Sequence, residues 1–290
     1  MANLKDLKTR INSVKSTQKI TSAMKMVAAA KLRRAQESAE AGRPYSSRMQ
    51  QVISGLATNA SKLNAPDLLV GREVVKTHLL IVVSADKGLC GGFNGSIARQ
   101  TRLEIKRLEA EGKSVLVYVV GKKAADNLNR EITDKIFGRV ENIQGSKVDY
   151  SKVSSISENI LAGFAEQSFD QVSIIYNQFV NAITQNVVVV PLIPAQLAKD
   201  QEVKGSSNYE YEPDEKELLE LLLPRNVTTQ IYSALLESSA AELAARMTAM
   251  DNATRNAGDM IDRLTLVYNR TRQANITKEL IEIISGAEAL

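Results

Sequence analysis

The chain has 290 residues, 44% of them hydrophobic and 24% charged, with aromatics at 4% and no tryptophan, a composition for one domain with an appendage or for two small domains. The single cysteine, Cys90, excludes an internal disulfide framework and a Cys-x-x-Cys centre, and the single histidine, His78, excludes a histidine-cluster metal site. The net charge of +4 hides an asymmetry: residues 1–50 carry eleven basic and three acidic side chains, or +8, which leaves −4 for the other 240. No apolar run approaches the roughly 18 residues of a membrane span, and the opening MANLKDLKTR lacks the apolar core of a signal peptide, so the chain reads as cytosolic or cytosol-facing.

Residues 3–43 lack proline and are rich in Ala, Lys, Arg, Met and Gln, all good helix formers. Leu4, Leu7, Ile11 and Val14 set a coiled-coil seam that continues through the poor core residues Gln18, Thr21 and Lys25 to Ala28, Leu32, Ala35 and Ala39. Pro44 is expected to kink or interrupt this helix, with the pattern resuming through Leu56. Next come strand-length β-branched runs at Thr77–Ser84, Ser114–Val120, Gln171–Tyr176 and Val187–Ile193, separated mostly by helical patterns near 95–112, 122–130 and 149–167. Continuous apolar strands alternating with helices imply a Rossmann-like α/β domain with a mainly parallel sheet covered on both faces. Lys199–Asp214 is polar, holds Gly205-Ser206-Ser207, and reads as a loop leading back to helix. From Pro224 to the end there is no further proline, and Met250, Ala253, Ala257, Met260, Leu264, Val267, Thr271 and Ala274 keep a strict 3-4 alternation. The expected organisation is an N-terminal helix over 1–60, an α/β domain over 75–210 and a C-terminal helix over 214–290. The two end helices are expected to pair as an antiparallel coiled coil.

Candidate chemistry is sparse. Ser84–Gly95 (SADKGLCGGFNG) joins a strand to a helix, where backbone amides and the helix dipole can hold a phosphate. Its glycines, at 88, 91, 92 and 95, match neither dinucleotide-binding nor P-loop spacing, so a tight structural turn and a phosphate site both stand as readings. Cys90 lies in that turn near a helix N-terminus, a position that lowers a thiol pKa, but no histidine accompanies it in sequence. His78 opens a buried strand and reads as a packing residue. The acidic stretch Glu210–Glu220 lacks calcium-loop spacing and reads as a helix N-terminus. The basic N-terminal segment has few stacking aromatics for nucleic acid and few bulky apolar residues for a membrane surface. An acidic protein surface suits it best, with a solvated coiled-coil flank as the other reading.

The two ends of the chain resemble a known family. The run Ile11–Lys31 (INSVKSTQKITSAMKMVAAAK), the turn Ser84–Asn94, Ala244–Met250 (AARMTAM) and Tyr268–Gly286 (YNRTRQANITKELIEIISG) are similar to segments of the gamma subunit of bacterial-type F-type ATP synthase. The resemblance implies a central-stalk rotor with no catalytic residue, cofactor or metal of its own. Its partners would be a hexamer of three alpha and three beta subunits, an epsilon subunit and a membrane-embedded c-ring, with no contact to nucleic acid and no transmembrane segment. It would couple proton-driven c-ring rotation to the conformational cycling of catalytic sites at alpha–beta interfaces, on the cytoplasmic face of the bacterial inner membrane. By motif match, Met24, Lys25, Arg246, Arg272, Gln273, Thr277 and Glu279 are the expected contacts with beta. Ile276, Leu280, Ile283, Ile284 and Leu290 are the expected bearing tip, and Tyr209, Tyr211 and Glu212 the foot on the c-ring. The glycine turn becomes structural in this light. Two other readings are carried forward: a nucleotide-binding enzyme using residues 84–95, and a basic coiled-coil nucleic-acid binder.

Overall fold

The computed structural model describes residues 4–59, 66–143, 148–195 and 215–288. The expected loop Lys199–Asp214 therefore lies outside the described residues, as do Tyr209, Tyr211, Glu212 and Leu290. The chain forms two compact units, one of residues 1–29 with 246–290 and one of residues 30–245.

The larger unit is built on five strands: β1 (Thr77–Val83), β2 (Ser114–Val120), β3 (Ile136–Val140), β4 (Gln171–Phe179) and β5 (Gln185–Ile193). Their order is β3-β2-β1-β4-β5. The first three junctions are parallel, and β5 alone runs antiparallel, against β4. Alternation along β1 sends Leu79, Ile81 and Val83 to one face and Leu80 and Val82 to the other, so both faces carry core. One face is covered by α3 (Phe93–Ala110) and α4 (Lys122–Ile132), through Ile97, Ile105, Leu108 and Leu128. The other is covered by α5 (Tyr150–Ala165) through Val153, Ile156 and Ile160, and by Val227, Ile231 and Leu235 of the last helix, α6 (Glu215–Glu288). The mainly parallel, doubly covered sheet read from the sequence is present, with α6 as a cover that the run of strands did not announce.

Two elements depart from expectation. Ile136–Val140 is a strand that the sequence hides, because Gly138 and Arg139 break its apolar run and all five of its positions are half-buried or exposed. Gly138 is required there: a Cβ would come 2.5 Å from the Tyr118 ring. The first helix, α1 (Leu4–Asn59), is not interrupted at Pro44 but runs through it, as α6 runs through Pro224. Proline removes a single ladder hydrogen bond, a loss of about 3 kcal/mol that burial along a long helix can offset. Near the start and end of the sheet, Ile53 and Leu56 of α1 share a cluster with Ala195, Leu219 and Leu223. The Ala195 amide donates to the Leu68 carbonyl at 2.9 Å, in the short helix α2 (Asp67–Val70).

In the smaller unit α1 and α6 pair antiparallel. Thr21 meets Thr254, Lys25 meets Asp251, and Gly258 lies against Gln18. The α1 seam positions Leu7, Ile11, Thr21 and Ala28 are buried, and Leu4, Val14, Gln18 and Lys25 half-buried, as the 3-4 spacing predicts. On α6 the seam holds at Met250, Ala253, Ala257 and Leu264, but Met260 and Val267 are exposed while Ile261 and Tyr268 are half-buried. A straight helix drifts by about 20° per heptad against a strict 3.5-residue repeat, so the buried stripe moves one position along.

Candidate functional site

The helix pair carries most of the residues expected to act. Its seam is polar where it matters most. The Thr254 hydroxyl lies 2.8 Å from both Thr21 Oγ1 and the Met250 carbonyl, with one proton to give, while Thr21 Oγ1 donates to the Gln18 carbonyl at 3.1 Å. Small residues let the backbones come close enough for these hydroxyls to meet. Lys25 Nζ donates to Asp251 Oδ1 at 2.6 Å, and Arg255 pairs with the other carboxylate oxygen. The Lys25 ammonium, followed by the Arg255 guanidinium, holds the Asp251 carboxyl below the usual carboxylate range. Lys25 keeps 45% of its side chain exposed, so this bond orients it along the seam and leaves it accessible.

Met24 and Arg246 are half-buried on their helices. Arg272, Gln273, Thr277 and Glu279 are exposed on α6, where the Thr277 hydroxyl is turned back onto the Gln273 carbonyl at 2.9 Å. Ile276, Leu280, Ile283 and Ile284 are 49%, 53%, 67% and 58% exposed. Spacings of four and three put Ile276, Leu280 and Ile283 on one stripe. Carrying the register of Gln18 and Gly258 to the start of α1 puts Leu4 level with about Arg272, so these four residues lie past the first described residue of that helix. The outer face of α1 combines exposed Lys5, Lys8, Lys15 and Lys19 with exposed Ile20, Met26 and Val27. A basic face studded with large apolar side chains is suited to another protein's surface. Sequence reasoning missed Asp251 and Thr254 as partners, because their spacing reveals nothing until the register of the two helices is known.

The turn at 84–95 uses its polar groups on itself. Ser84 Oγ accepts from the Ala124 amide at 2.8 Å, and Asp86 Oδ1 accepts from the Lys122 and Asn142 amides at 3.2 and 3.1 Å. The Lys123 amide donates to the Ala85 carbonyl at 3.0 Å. At the start of α3, the helix this turn leads into, the Phe93 amide donates to the Cys90 carbonyl at 3.2 Å and the Ser96 amide to the Gly92 carbonyl at 2.8 Å, which takes up donors an anion would need there. Asn94 accepts from the Ala85 amide through Oδ1 and donates to Cys90 Sγ at 3.2 Å. Cys90 is buried and Leu89 takes φ +64. This turn clamps β1 to α3 and α4, which favours the structural reading over the phosphate site.

Two further titratable groups of the larger unit are shifted by burial. His78 Nε2 lies 2.9 Å from Ser173 Oγ on the neighbouring strand. Burial pushes its pKa down to about 4, aided by the Lys113 cation, so it sits neutral in the sheet as a packing residue. On α6, Glu237 faces Arg43 of α1 and Tyr176 of β4. Among the described residues no group of three His, Cys, Asp or Glu is placed to hold a metal ion, and no helix is long and apolar enough to cross a membrane.

Fold and surface together define a helical hairpin made from the two ends of one chain, with an α/β unit carried between them in sequence. A family model described as ATP synthase matches residues 3–290. The chain is 55% identical to the ATP synthase gamma chain of Acidiphilium cryptum over 296 aligned positions, and 53% identical to that of Paracoccus denitrificans over 291, each alignment covering all of both chains. It belongs to the gamma-chain family of ATP synthases. Among solved structures it is similar to a chain of the Tetrahymena thermophila mitochondrial ATP synthase central stalk and c-ring, at 31% identity and a TM-score of 0.61, covering 81% of this chain and 99% of that one. A chain of the Euglena gracilis mitochondrial ATP synthase shares the fold, with a TM-score of 0.65 at 20% identity, covering 99% of this chain and 94% of that one.

Proposed function

We propose that this gamma chain is the central-stalk rotor of a bacterial F-type ATP synthase, coupling proton-driven c-ring rotation to conformational cycling of catalytic sites on the alpha and beta subunits. It contributes no active site. Its partners are the alpha–beta hexamer, an epsilon subunit and the c-ring, and it works at the cytoplasmic face of the inner membrane. In this reading residues 1–60 and 214–290 form the shaft and 75–210 a central α/β domain. Met24, Lys25, Arg246, Arg272, Gln273, Thr277 and Glu279 touch beta. Ile276, Leu280, Ile283, Ile284 and Leu290 turn in an apolar bearing, and Tyr209, Tyr211 and Glu212 stand on the c-ring.

The observation that carries the proposal is the antiparallel pair Gln18–Ala28 against Met250–Gly258, thin and small-lined within, basic and apolar without. Such a pair can turn inside a sleeve of protein while presenting an asymmetric surface to it. Purification with alpha and beta subunits tests the reading: the complex should hydrolyse ATP and rotate a probe fixed to residues 30–245. A chain that fails to join alpha and beta, or that alone binds ATP tightly at one site, refutes it.

A further inference from the structure

Glu237 stands where three elements of the larger unit meet. Its side chain on α6 is only 14% exposed, and Oε1 lies 3.8 Å from Arg43 Nη2 on α1. The Tyr176 phenol of β4 faces the same carboxyl. Oε2 is buried with no hydrogen-bond partner among the described residues. Arg43 and Tyr176 are the charged and titratable groups that face it from the helices and the strand packed around it.

Stability alone does not account for an acid here. A buried ion pair is often no more stabilising than apolar side chains of the same volume, and this one leaves a carboxylate oxygen unserved. Burial pushes the carboxyl pKa up, while Arg43 and the Tyr176 hydroxyl pull against that rise. The phenol keeps its proton, since burial and the adjacent carboxylate push its own pKa up. Arg43 is the residue before Pro44, whose missing N–H leaves the α1 ladder one hydrogen bond short, so the ion pair lies beside that gap.

We infer that Glu237 is a proton-operated latch between α6 and α1: ionised, it holds the Arg43 guanidinium against the Pro44 turn, and protonated, it releases that guanidinium to water. The sign follows from burial. The neutral acid suits the core, so its desolvation cost is absent at low pH and appears as pH rises through the raised carboxyl pKa. The attraction to Arg43 appears over the same interval. An opening of the Arg43 turn that leaves Glu237 buried loses that attraction without recovering the desolvation cost. This local opening is therefore disfavoured as pH rises, even though ionisation burdens the fold as a whole. Proton concentration thus exchanges a relaxed turn for a clamped one. The latch lies wholly within residues 30–245 and does not depend on the rotor assignment.

Hydrogen exchange of the full chain between about pH 5 and about pH 8, corrected for intrinsic rates, tests it on the amides around Arg43–Arg48. Protection there should rise by about threefold to fivefold with pH, the effect of one partly exposed ion pair. In Glu237→Gln the rise should vanish, and Arg43→Met should hold the turn unlatched at every pH. An identical rise in wild type and Glu237→Gln, or no rise in wild type, overturns the proposal. Carbon-detected NMR titration of the glutamate carboxyls in wild type gives an answer independent of how the variants fold: Glu237 should titrate above the surface glutamates. A Glu237 that titrates among them overturns the latch.

Discussion

Gly121 is the point where the 84–95 turn is most exposed to a one-atom perturbation. Its φ is +92 and ψ 147, and a Cβ added there would lie 2.1 Å from the Ser84 carbonyl oxygen and 2.8 Å from its carbon. Both are main-chain atoms, so no side chain can swing aside. The backbone conformation alone costs a non-glycine residue about 1–3 kcal/mol. Relieving the clash must also stretch three bonds that hold the junction: Ser84 N to Val120 O, Gly121 N to Val140 O and Ala124 N to Ser84 Oγ, each 2.8 Å. Leaving even one such buried donor unpaired costs about 1–3 kcal/mol. Gly121→Ala should therefore lose about 4 kcal/mol, a large fraction of the usual 5–15 kcal/mol. Urea unfolding followed by circular dichroism reads this directly. With a slope of about 1–3 kcal/mol per molar urea, the midpoint should fall by about 1.3 M or more. A midpoint within about 0.3 M of wild type would show that the turn is not the rigid clamp described, and would reopen the phosphate reading for residues 84–95.

The remaining expectations concern the helix pair and the buried histidine. Ala257→Asp places an unpaired charge at a seam position only 7% exposed, and Leu264→Asp does so at a half-buried one; either should cost several kcal/mol and abolish assembly with alpha and beta, read by co-purification. Met24→Ala and Arg246→Ala, made singly, should each leave ATP hydrolysis by the assembled complex measurable, because an ion pair supplies about 0–1 kcal/mol and burial of one Met side chain at most about 3 kcal/mol, whereas switching a site from 99:1 to 1:99 needs about 5.5 kcal/mol; complete loss of activity in an intact complex contradicts this. His78, held near pKa 4 when folded against about 6.5 when unfolded, makes stability greatest above pH 6.5 and erodes it as pH falls toward 4. The erosion should approach about 3 kcal/mol, and in unfolding curves at several pH values His78→Gln should flatten that part of the profile.

Much of this architecture is legible in the residue pattern because burial on both faces leaves long β-branched runs. Thr77–Val83 and Ser114–Val120 announce themselves as strands for that reason. Ile136–Val140 does not, since a half-exposed edge strand may carry glycine and arginine without penalty. The antiparallel direction of β5 is equally silent, because a run of valines reads the same in either direction. At the helix pair the seam shows through its spacing, whereas Asp251 and Thr254 acquire partners only once the register is fixed. Pro44 does not end its helix: a propensity argument weighs one residue, while the helix is held by packing along many turns.

The lone antiparallel strand has a consequence for how such a chain can be assembled. Val172 pairs with Ile193 in one direction and Leu79 in the other, so β5 finishes at the end of the sheet where β1 begins. The Ala195–Leu68 hydrogen bond ties the two connections together at 2.9 Å. Topologically, the sheet is entered and left through two adjacent stems, a chain path in which both connections can be tied together at one point. Had β5 been parallel, the two stems would have left from opposite ends of the sheet.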